Sequence, residues 1–414
     1  MIVLFNLNSY LGGGEVLLVR LAEEFAKKDV EFCIVSSFDD GYINDEAKKY
    51  GFYVIRWPIP NDSVLYMTKN EKRKVIDFFA KKFHNNAKLE IFTFCFRDIY
   101  NAYVVFSNLN SIRATYSTGI FHPRDTHYLA SYSLRKKRII GINRKLLEIY
   151  VNYQSVSFMN EMNLQASLKN FDNSSYKIIP LPIPEHNEQS KKKAILSNRV
   201  IRIVWVGRFV DFKLSSIIMI IDFVRRNPGY HLTLIGYGPC EKRIRRYIRK
   251  NSVPNVDFAG KVHPDELDKK LLNYDIGYCM GTSILETAKL GIPTVIAAML
   301  PKNYYKKNQG VCLGIFGKDS GFNLGELDID DKSHLSSIDD CIKDIVENYA
   351  EYSSLTLSHV HRFEMGEITE EYLNLIKSST LCLEKDSVVL PKPPIIKYVA
   401  KRIIYLVKGI KGGS

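Results

Sequence analysis

Residues 275–295 read D-I-G-Y-C-M-G-T-S-I-L-E-T-A-K-L-G-I-P-T-V, and the order of residue types in this stretch decides the fold. Ile276 to Cys279 is an apolar run of strand length. Gly281, Thr282 and Ser283 make a loop of small residues, and a helix is expected to open near Ile284, with Glu286 in its first turn. Gly291 closes that helix, and Ile292 to Ala298 reads as the next strand. Strand, small-residue turn, helix and strand make one unit of a parallel α/β sheet. A small-residue loop ahead of a helix N-terminus suits an anion, because the first amides lack intrahelical partners and the dipole favours negative charge. Glu286 lies too near that pole to partner a phosphate. It is better placed to accept hydrogen bonds from sugar hydroxyls, although any surface glutamate in a first turn would read the same way.

The same unit recurs upstream. Ile203 to Val206 is a strand, Gly207 a turn, and a helix is expected from about Ser215. Arg208 and Lys213 then fall in the loop between them, a fork and a point charge suited to a diphosphate. H-L-T-L-I-G-Y-G-P (231–239) is a strand ending in a glycine turn, followed by a basic helix at 241–250. Val256 to Phe258 with the turn at Gly260, and a short helix at 267–272, lead back to Asp275.

The N-terminal half repeats the pattern. Residues 2–7 are apolar and run into S-Y-L-G-G-G-E, then a helical stripe of Val16, Leu17, Leu18, Leu21, Ala22 and Phe25. Strands follow at 32–36, 54–56, 91–94, 113–117 and 154–158. Gly12-Gly13-Gly14 is not G-x-G-x-x-G and reads as a loop that lets a phosphate approach the backbone. His122, in T-G-I-F-H-P-R-D, falls on a loop at a strand's C-terminal end, where open α/β sheets bind ligands. Asn160 is a helix cap. The proline- and lysine-rich run at 184–199 reads as a linker. The expected domains are 1–185, 200–365 and a C-terminal helix and basic tail at 366–414.

Hydrophobic residues make up 46% of the 414 and charged residues 25%, the balance of a globular protein. Seven scattered cysteines without a C-x-x-C pair argue for reduced thiols and a cytoplasmic location. The first residues lack a signal peptide's basic region, and no apolar run is long enough to span a bilayer. The net charge of +13 leaves anionic partners open. Basic and apolar residues interleave at 69–84 and 134–149, and the segment from 391 carries six Lys or Arg and no acid. The first two stretches suit ordinary solvated helix faces or a surface resting on anionic lipid, and the last a helix lying in an anionic interface or a terminal helix docked on the protein.

Taken in order, G-G-G-E (12–15), F-H-P (121–123), F-M-N-E (158–161), I-I-P-L-P-I (178–183), V-G-R-F-V-D-F-K (206–213), L-I-G-Y-G-P (234–239), F-A-G-K-V (258–262) and G-T-S-I-L-E-T-A-K-L-G-I-P-T-V (281–295) resemble the motifs of the family 4 nucleotide-sugar-dependent glycosyltransferases, over about residues 2–300. The resemblance implies the GT-B fold, two Rossmann-like doubly wound α/β domains facing a cleft, here with a C-terminal helical tail. It implies a UDP- or GDP-sugar donor, transfer with retention and no obligatory metal. Carried over, Arg208 and Lys213 hold the diphosphate, Glu286 the ribose, and the backbone at Gly281, Thr282, Ser283 and Ile284 the phosphates or sugar. Gly13 and Gly14 approach the phosphates, His122 touches the transferred sugar, and Val262 lies where the base is read. Members often carry a further glutamate eight positions before the one matching Glu286, where this chain has Tyr278.

Family and charge together lead us to expect a hexose transferred to a glycan acceptor, lipid-linked, in bacterial surface polysaccharide synthesis. The enzyme would sit peripherally on the inner face of the cytoplasmic membrane. The alternatives are a non-catalytic membrane-associated subunit of the same fold, or a basic nucleic-acid-binding protein. No helix-turn-helix, zinc or RNP-type motif supports the last. The D-x-D at 328–330 lies in an acidic loop, and His359 and His361 lack partners at metal spacing, so no metal site is expected.

Overall fold

The computed structural model describes residues 1–109, 111–122, 124–130, 133–168, 176–184, 199–318, 322–325, 335–394, 398–402 and 404–405. The linker reading at 185–198 and the D-x-D at 328–330 lie outside those residues. The chain divides into two packed units. Unit 1 is Met1–Leu181 with Gly366–Ser414, and unit 2 is Pro182–Met365.

Unit 1 alternates β1 (Ile2–Phe5), α1 (Gly13–Lys27), β2 (Phe32–Ser36), α2 (Tyr42–Tyr50), β3 (Val54–Arg56), α3 (Lys69–Lys82), β4 (Lys88–Thr93), α4 (Phe96–Phe106), β5 (Arg113–Ile120), α5 (Lys136–Asn152), β6 (Val156–Phe158), α6 (Glu161–Ser167) and β7 (Lys177–Ile178). The strands form one parallel sheet in the order β3-β2-β1-β4-β5-β6-β7. β1 is buried at every residue, as a central strand covered on both faces must be. Each helix offers the sheet an apolar stripe; in α1 it is Leu17, Leu18, Leu21, Ala22 and Phe25. Thr68 and Glu71 close a capping box at the start of α3. Asn160 caps α6 as the sequence implied, accepting from the Asn163 amide at 2.8 Å.

Unit 2 runs β8 (Ile201–Val206), α7 (Asp211–Arg226), β9 (Tyr230–Ile235), α8 (Glu241–Lys250), β10 (Val256–Gly260), α9 (Pro264–Leu271), β11 (Ile276–Cys279), α10 (Thr282–Ala288) and β12 (Thr294–Ile296). A small hairpin, β13 (Val311–Cys312) with β14 (Ser336–Ser337), precedes α11 (Ile338–Glu347) and α12 (Tyr349–Val360). The parallel sheet has the order β10-β9-β8-β11-β12.

The chain then returns to unit 1 through α13 (Met365–Ser378), whose Tyr372 ring meets Phe92 edge-on at 5.7 Å. Ser379 donates to the Tyr116 carbonyl at 2.7 Å, the Tyr116 amide donates to Leu381 at 2.9 Å, and Leu381, Leu383 and Val388 join the unit 1 core. The helical residues 398–402 and 404–405 are docked on the same unit. Tyr398 stacks on Tyr66, Arg402 pairs with Glu71, and Tyr405 is buried. This part of the basic tail is therefore a docked helix. Among the described residues no helix is long and apolar enough to cross a membrane.

Candidate functional site

In both sheets the strand order reverses once, between β1 and β4 and between β8 and β11. The connections leaving neighbouring strands there run in opposite directions. In this class of sheet, ligands bind at such a point, outside the strands' C-terminal ends. Most of the residues singled out in the sequence fall on these two edges.

In unit 2, α7 begins at Asp211, four residues ahead of the position expected from sequence. Lys213 therefore sits in the first turn of α7 and not in a loop. Asp211 favours the early start, an acid at the positive end of the helix. From there Lys213 Nζ donates to the Met280 carbonyl at 3.2 Å and lies 5.8 Å from the Trp205 ring centre. The turn after β8 is thus tied to the turn after β11. Arg208 is exposed, and its guanidinium meets no acceptor among the described residues.

Its loop is held by the next one. Gly207 donates to Ile235 at 2.9 Å, Phe209 to Tyr237 at 2.8 Å, and Gly236 to Gly260 at 2.8 Å. Gly236 has φ +143°, and a Cβ there would overlap the Gly207 carbonyl. The glycine in L-I-G-Y-G-P is set by this close approach.

The stretch that opened the sequence reading departs from expectation in two ways. Gly281 takes φ +75°, so the chain turns sharply and α10 opens at Thr282, two residues early. Glu286 is therefore the fifth helical residue, beyond the first turn. It is 9% exposed, and its Oε2 pairs with Lys289 at 2.8 Å. Lys289 also pairs with Asp268 of α9 at 2.8 Å. Burial works against the Lys289 charge, but the two carboxylates outweigh it and hold the ammonium pKa above its ordinary value. The assigned ribose acceptor is thus already engaged by a cation of its own helix.

Tyr278 is the second departure. It lies inside β11, fully buried, with its ring 6.1 Å from Trp205. Only Met280 and Gly281 separate β11 from α10. The position is a core position, where an unpaired carboxylate would be costly. Thr287 fixes α10 to the sheet, with its hydroxyl 2.7 Å from that of Thr294. A Cβ at Gly277 would come 2.5 Å from Thr294 Oγ1. Val262, half-buried against the cluster of Val204, Ile235 and Leu271, sits in the turn between β10 and α9, two strands from Arg208.

In unit 1 the glycine triplet is not a loop. Gly12 is the N-cap of α1, and Gly13 and Gly14 are its first helical residues. Apolar residues from Val16 onward pull the helix back to its earliest start, and a Cβ at Gly14 would meet nothing within 4 Å. Asn8 donates to Glu15 Oε1 at 2.8 Å, bracing the turn before the helix. At the end of β4, Arg97 donates to Asn8 Oδ1 and to Asp62, both at 2.8 Å, and to Asp98 at 3.2 Å. Asp98 is fully buried, and burial raises its pKa despite Arg97.

His122 follows β5. Its Nδ1 accepts from the Arg124 amide at 3.0 Å, so the neutral ring carries its proton on Nε2 as a donor. Asp125 ties down the same loop. Its amide donates to the His122 carbonyl at 3.0 Å, and its carboxylate accepts from the Phe121 and His122 amides. Burial pushes the Asp125 carboxyl up to about 7; those two amides oppose the rise and Asp98 adds to it.

No protein-family model and no curated protein matches this chain. Solved structures do. Anabaena Alr3699/HepE in complex with UDP and glucose is 14% identical, covers 92% of this chain and 99% of its own, and has a TM-score of 0.60. Sucrose-phosphate synthase from Thermosynechococcus elongatus is 13% identical over 91% of this chain and 98% of its own, at 0.61. The lipopolysaccharide outer core galactosyltransferase WaaB is 13% identical over 91% and 99%, at 0.57. The likeness is one of fold. Two Rossmann-like α/β units with a helical C-terminal region give this chain the GT-B fold class.

Within unit 2 the structure brings Arg208, Lys213 and Gly281–Ile284 to one sheet edge, and within unit 1 Gly13, Gly14 and His122. Several residues there escaped sequence reading: Asn8, Asp62, Arg97, Asp125 and Lys289. Two carried a signal. Arg97-Asp98 follows β4 as polar residues follow β1, and Lys289 stands three positions from Glu286, one helical turn away.

Proposed function

We propose that this chain is a retaining glycosyltransferase that moves a hexose from a UDP- or GDP-sugar to a lipid-linked glycan acceptor in bacterial surface polysaccharide synthesis. One observation carries the reading. Arg208, exposed and without an acceptor among the described residues, and Lys213, tied to the β11–α10 turn, share the C-terminal edge of the β8–β11 switch point. A nucleoside diphosphate gains negative charge as the anomeric bond breaks. A guanidinium fork and an ammonium fixed beforehand at that position stabilise the charge without reorganising. The dipole of α10 contributes little, because the helix has seven residues. The backbone at Gly281, Thr282, Ser283 and Ile284 lies beside the phosphates or sugar, Val262 beside the base, and Glu286 takes the ribose by exchanging its contact with Lys289.

Gly13, Gly14 and His122 keep the roles the resemblance implies, His122 donating from Nε2 to a hydroxyl of the transferred sugar. Retention follows from attack on the leaving group's own face, with a phosphate oxygen as base, through an oxocarbenium-like state. No obligatory metal is assigned. The supporting neighbours include a structure with UDP and glucose and an outer core galactosyltransferase. The enzyme is placed peripherally on the cytoplasmic face of the membrane. The supporting feature is the basic tail, whose docked helix leaves Val399 and Ile404 about half exposed.

Thermal-shift screening of UDP, GDP, ADP and CMP identifies the base. Turnover of the matching sugar nucleotides by wild type and Lys213→Ala then tests the assignment. The variant is expected to lose at least 100-fold, as when one transition-state donor is removed; normal turnover rejects the reading. Proton NMR of the product's anomeric coupling decides retention. Liposome flotation of the chain ended at residue 390 decides the tail's role, since undiminished binding removes it.

A further inference from the structure

The C-terminal tail ends its described course at a residue with an unusual connection. Tyr405 is buried on unit 1, and its hydroxyl meets two groups. Lys401 Nζ donates to the phenol oxygen at 3.0 Å, so the phenol proton is directed at its other neighbour, Asp62 Oδ1. The second oxygen of Asp62 accepts from Arg97 Nη1 at 2.8 Å. Arg97 Nη2 donates to Asn8 Oδ1 at 2.8 Å, and Asn8 Nδ2 donates to Glu15 Oε1 at 2.8 Å. An unbroken run of side-chain hydrogen bonds therefore leads from the tail to the first turn of α1. It crosses 390 positions of sequence within one packed unit.

The run has a direction. Asn8 has its carbonyl oxygen on a guanidinium and its amide on a carboxylate, so neither end can reverse without losing a charged partner. The backbone follows the side chain, because the Asn8 amide donates to Asn6 Oδ1 at 2.9 Å and Asn6 also reaches Glu15. Among the described residues, the backbone ladder bonds of residues 6–12 are two: the Asn6 amide donates to Val35 at 3.0 Å, and the Gly12 carbonyl accepts from Val16 at 3.1 Å. Between those two points the segment is braced by this network and by the close approach of the Ser9 backbone to Gly41. Two further contacts hold the tail beside Asp62, at residues 66–71: Tyr398 stacks on Tyr66 at 6.2 Å, and Arg402 pairs with the capping-box Glu71 at 2.5 Å.

We propose that Tyr405 is a positioning residue for the β1–α1 turn, acting through Asp62, Arg97 and Asn8 to hold the start of α1 at Gly13 and Gly14 in its ligand-ready conformation. The consequence for turnover rests on the glycosyltransferase reading; the positioning itself does not. A tail drawn off unit 1 would release Asp62. Arg97 would then close on Asp98 and Asp62 alone, and Asn8 would lose its fixed orientation.

The test is amide hydrogen exchange on the full chain, comparing wild type with Tyr405→Phe, Asn8→Ala and the double variant. Tyr405→Phe keeps the buried ring and removes only the hydroxyl. Exchange in residues 6–15 is expected to rise about tenfold, the loss of one hydrogen bond to a charged partner. Strand β9 in unit 2 should be unchanged. In the Asn8→Ala background the Tyr405→Phe increment should disappear, because the run is already cut. Unchanged exchange at 6–15, full additivity of the two substitutions, or loosening confined to residues 61–71 would each overturn the proposal. With the donor identified by thermal shift, Tyr405→Phe should raise its KM several-fold and leave kcat within twofold. Exchange that shifts in a chain with no turnover on any donor would retain the positioning role and reject the enzyme assignment.

Discussion

Asp125→Asn is the substitution whose outcome is most closely fixed by the structure. The Asp125 carboxyl, pushed up by burial to about 7 from an ordinary 3.8, is mostly protonated in the folded protein below neutrality. In the unfolded chain it ionises near its ordinary value, so between about pH 4 and 7 the native state binds the extra proton. Stability from this group is full below pH 4 and is lost as pH rises to 7. The gap corresponds to about 4 kcal/mol as a ceiling. Asp125 keeps partial solvent contact, so about 2 kcal/mol is expected.

Asparagine has the same shape, and its carbonyl can accept from the Phe121 and His122 amides without a charge to bury. Urea unfolding of both proteins at about pH 3.5 and pH 8 separates the cases. The variant should gain about 2 kcal/mol on wild type at pH 8 and differ by less than about 0.5 at about pH 3.5. Asp98, also raised by burial, titrates in both proteins, and only the part of its shift that comes from its coupling to Asp125 enters the difference. A gap independent of pH, or a variant less stable at pH 8, would show that the Asp125 carboxylate is not desolvated and that the loop carrying His122 is held otherwise.

Other perturbations have defined outcomes. Gly236→Ala puts a Cβ into the Gly207 carbonyl at φ +143°, and should cost about 3 kcal/mol or more in unit 2 by thermal unfolding, with loss of nucleotide binding. Lys289→Met leaves Glu286 and Asp268 without their shared cation and should cost roughly 3 kcal/mol in urea unfolding, recovered in part at low pH as the carboxylates protonate. Under native maleimide labelling read by mass spectrometry, exposed Cys382 should react first. Buried Cys33, its thiol pushed up to about 12 by burial, should stay unlabelled until the protein unfolds.

Much of the architecture follows from local pattern alone. Short apolar runs alternating with amphipathic helices and glycine turns specify parallel α/β units wherever they occur, since an extended run covered on both faces has few other ways to be buried. The cations Arg208 and Lys213 and the small-residue run at 281–284 could be placed at strand ends for the same reason. Boundaries were less legible. The helix at Lys213 opens four residues early and that at Glu286 two, because a first turn is fixed by the turn geometry before it as much as by composition.

What the sequence determined by itself is the class of sheet, the succession of units and the candidate anion-binding edge of unit 2, all of them products of residue spacing. What only the tertiary structure decided is which distant residues share an edge. Lys213 reaches Met280, Lys289 engages Glu286 and Asp268 together, and Tyr278 is a core side chain and not a vacant acid position. Above all, Tyr405 is joined to the first turn of α1 through Asp62, Arg97 and Asn8. Such links depend on strand order and on the return of the C-terminal segment to unit 1. Both arise from burying surfaces far apart in sequence, and no local period records them.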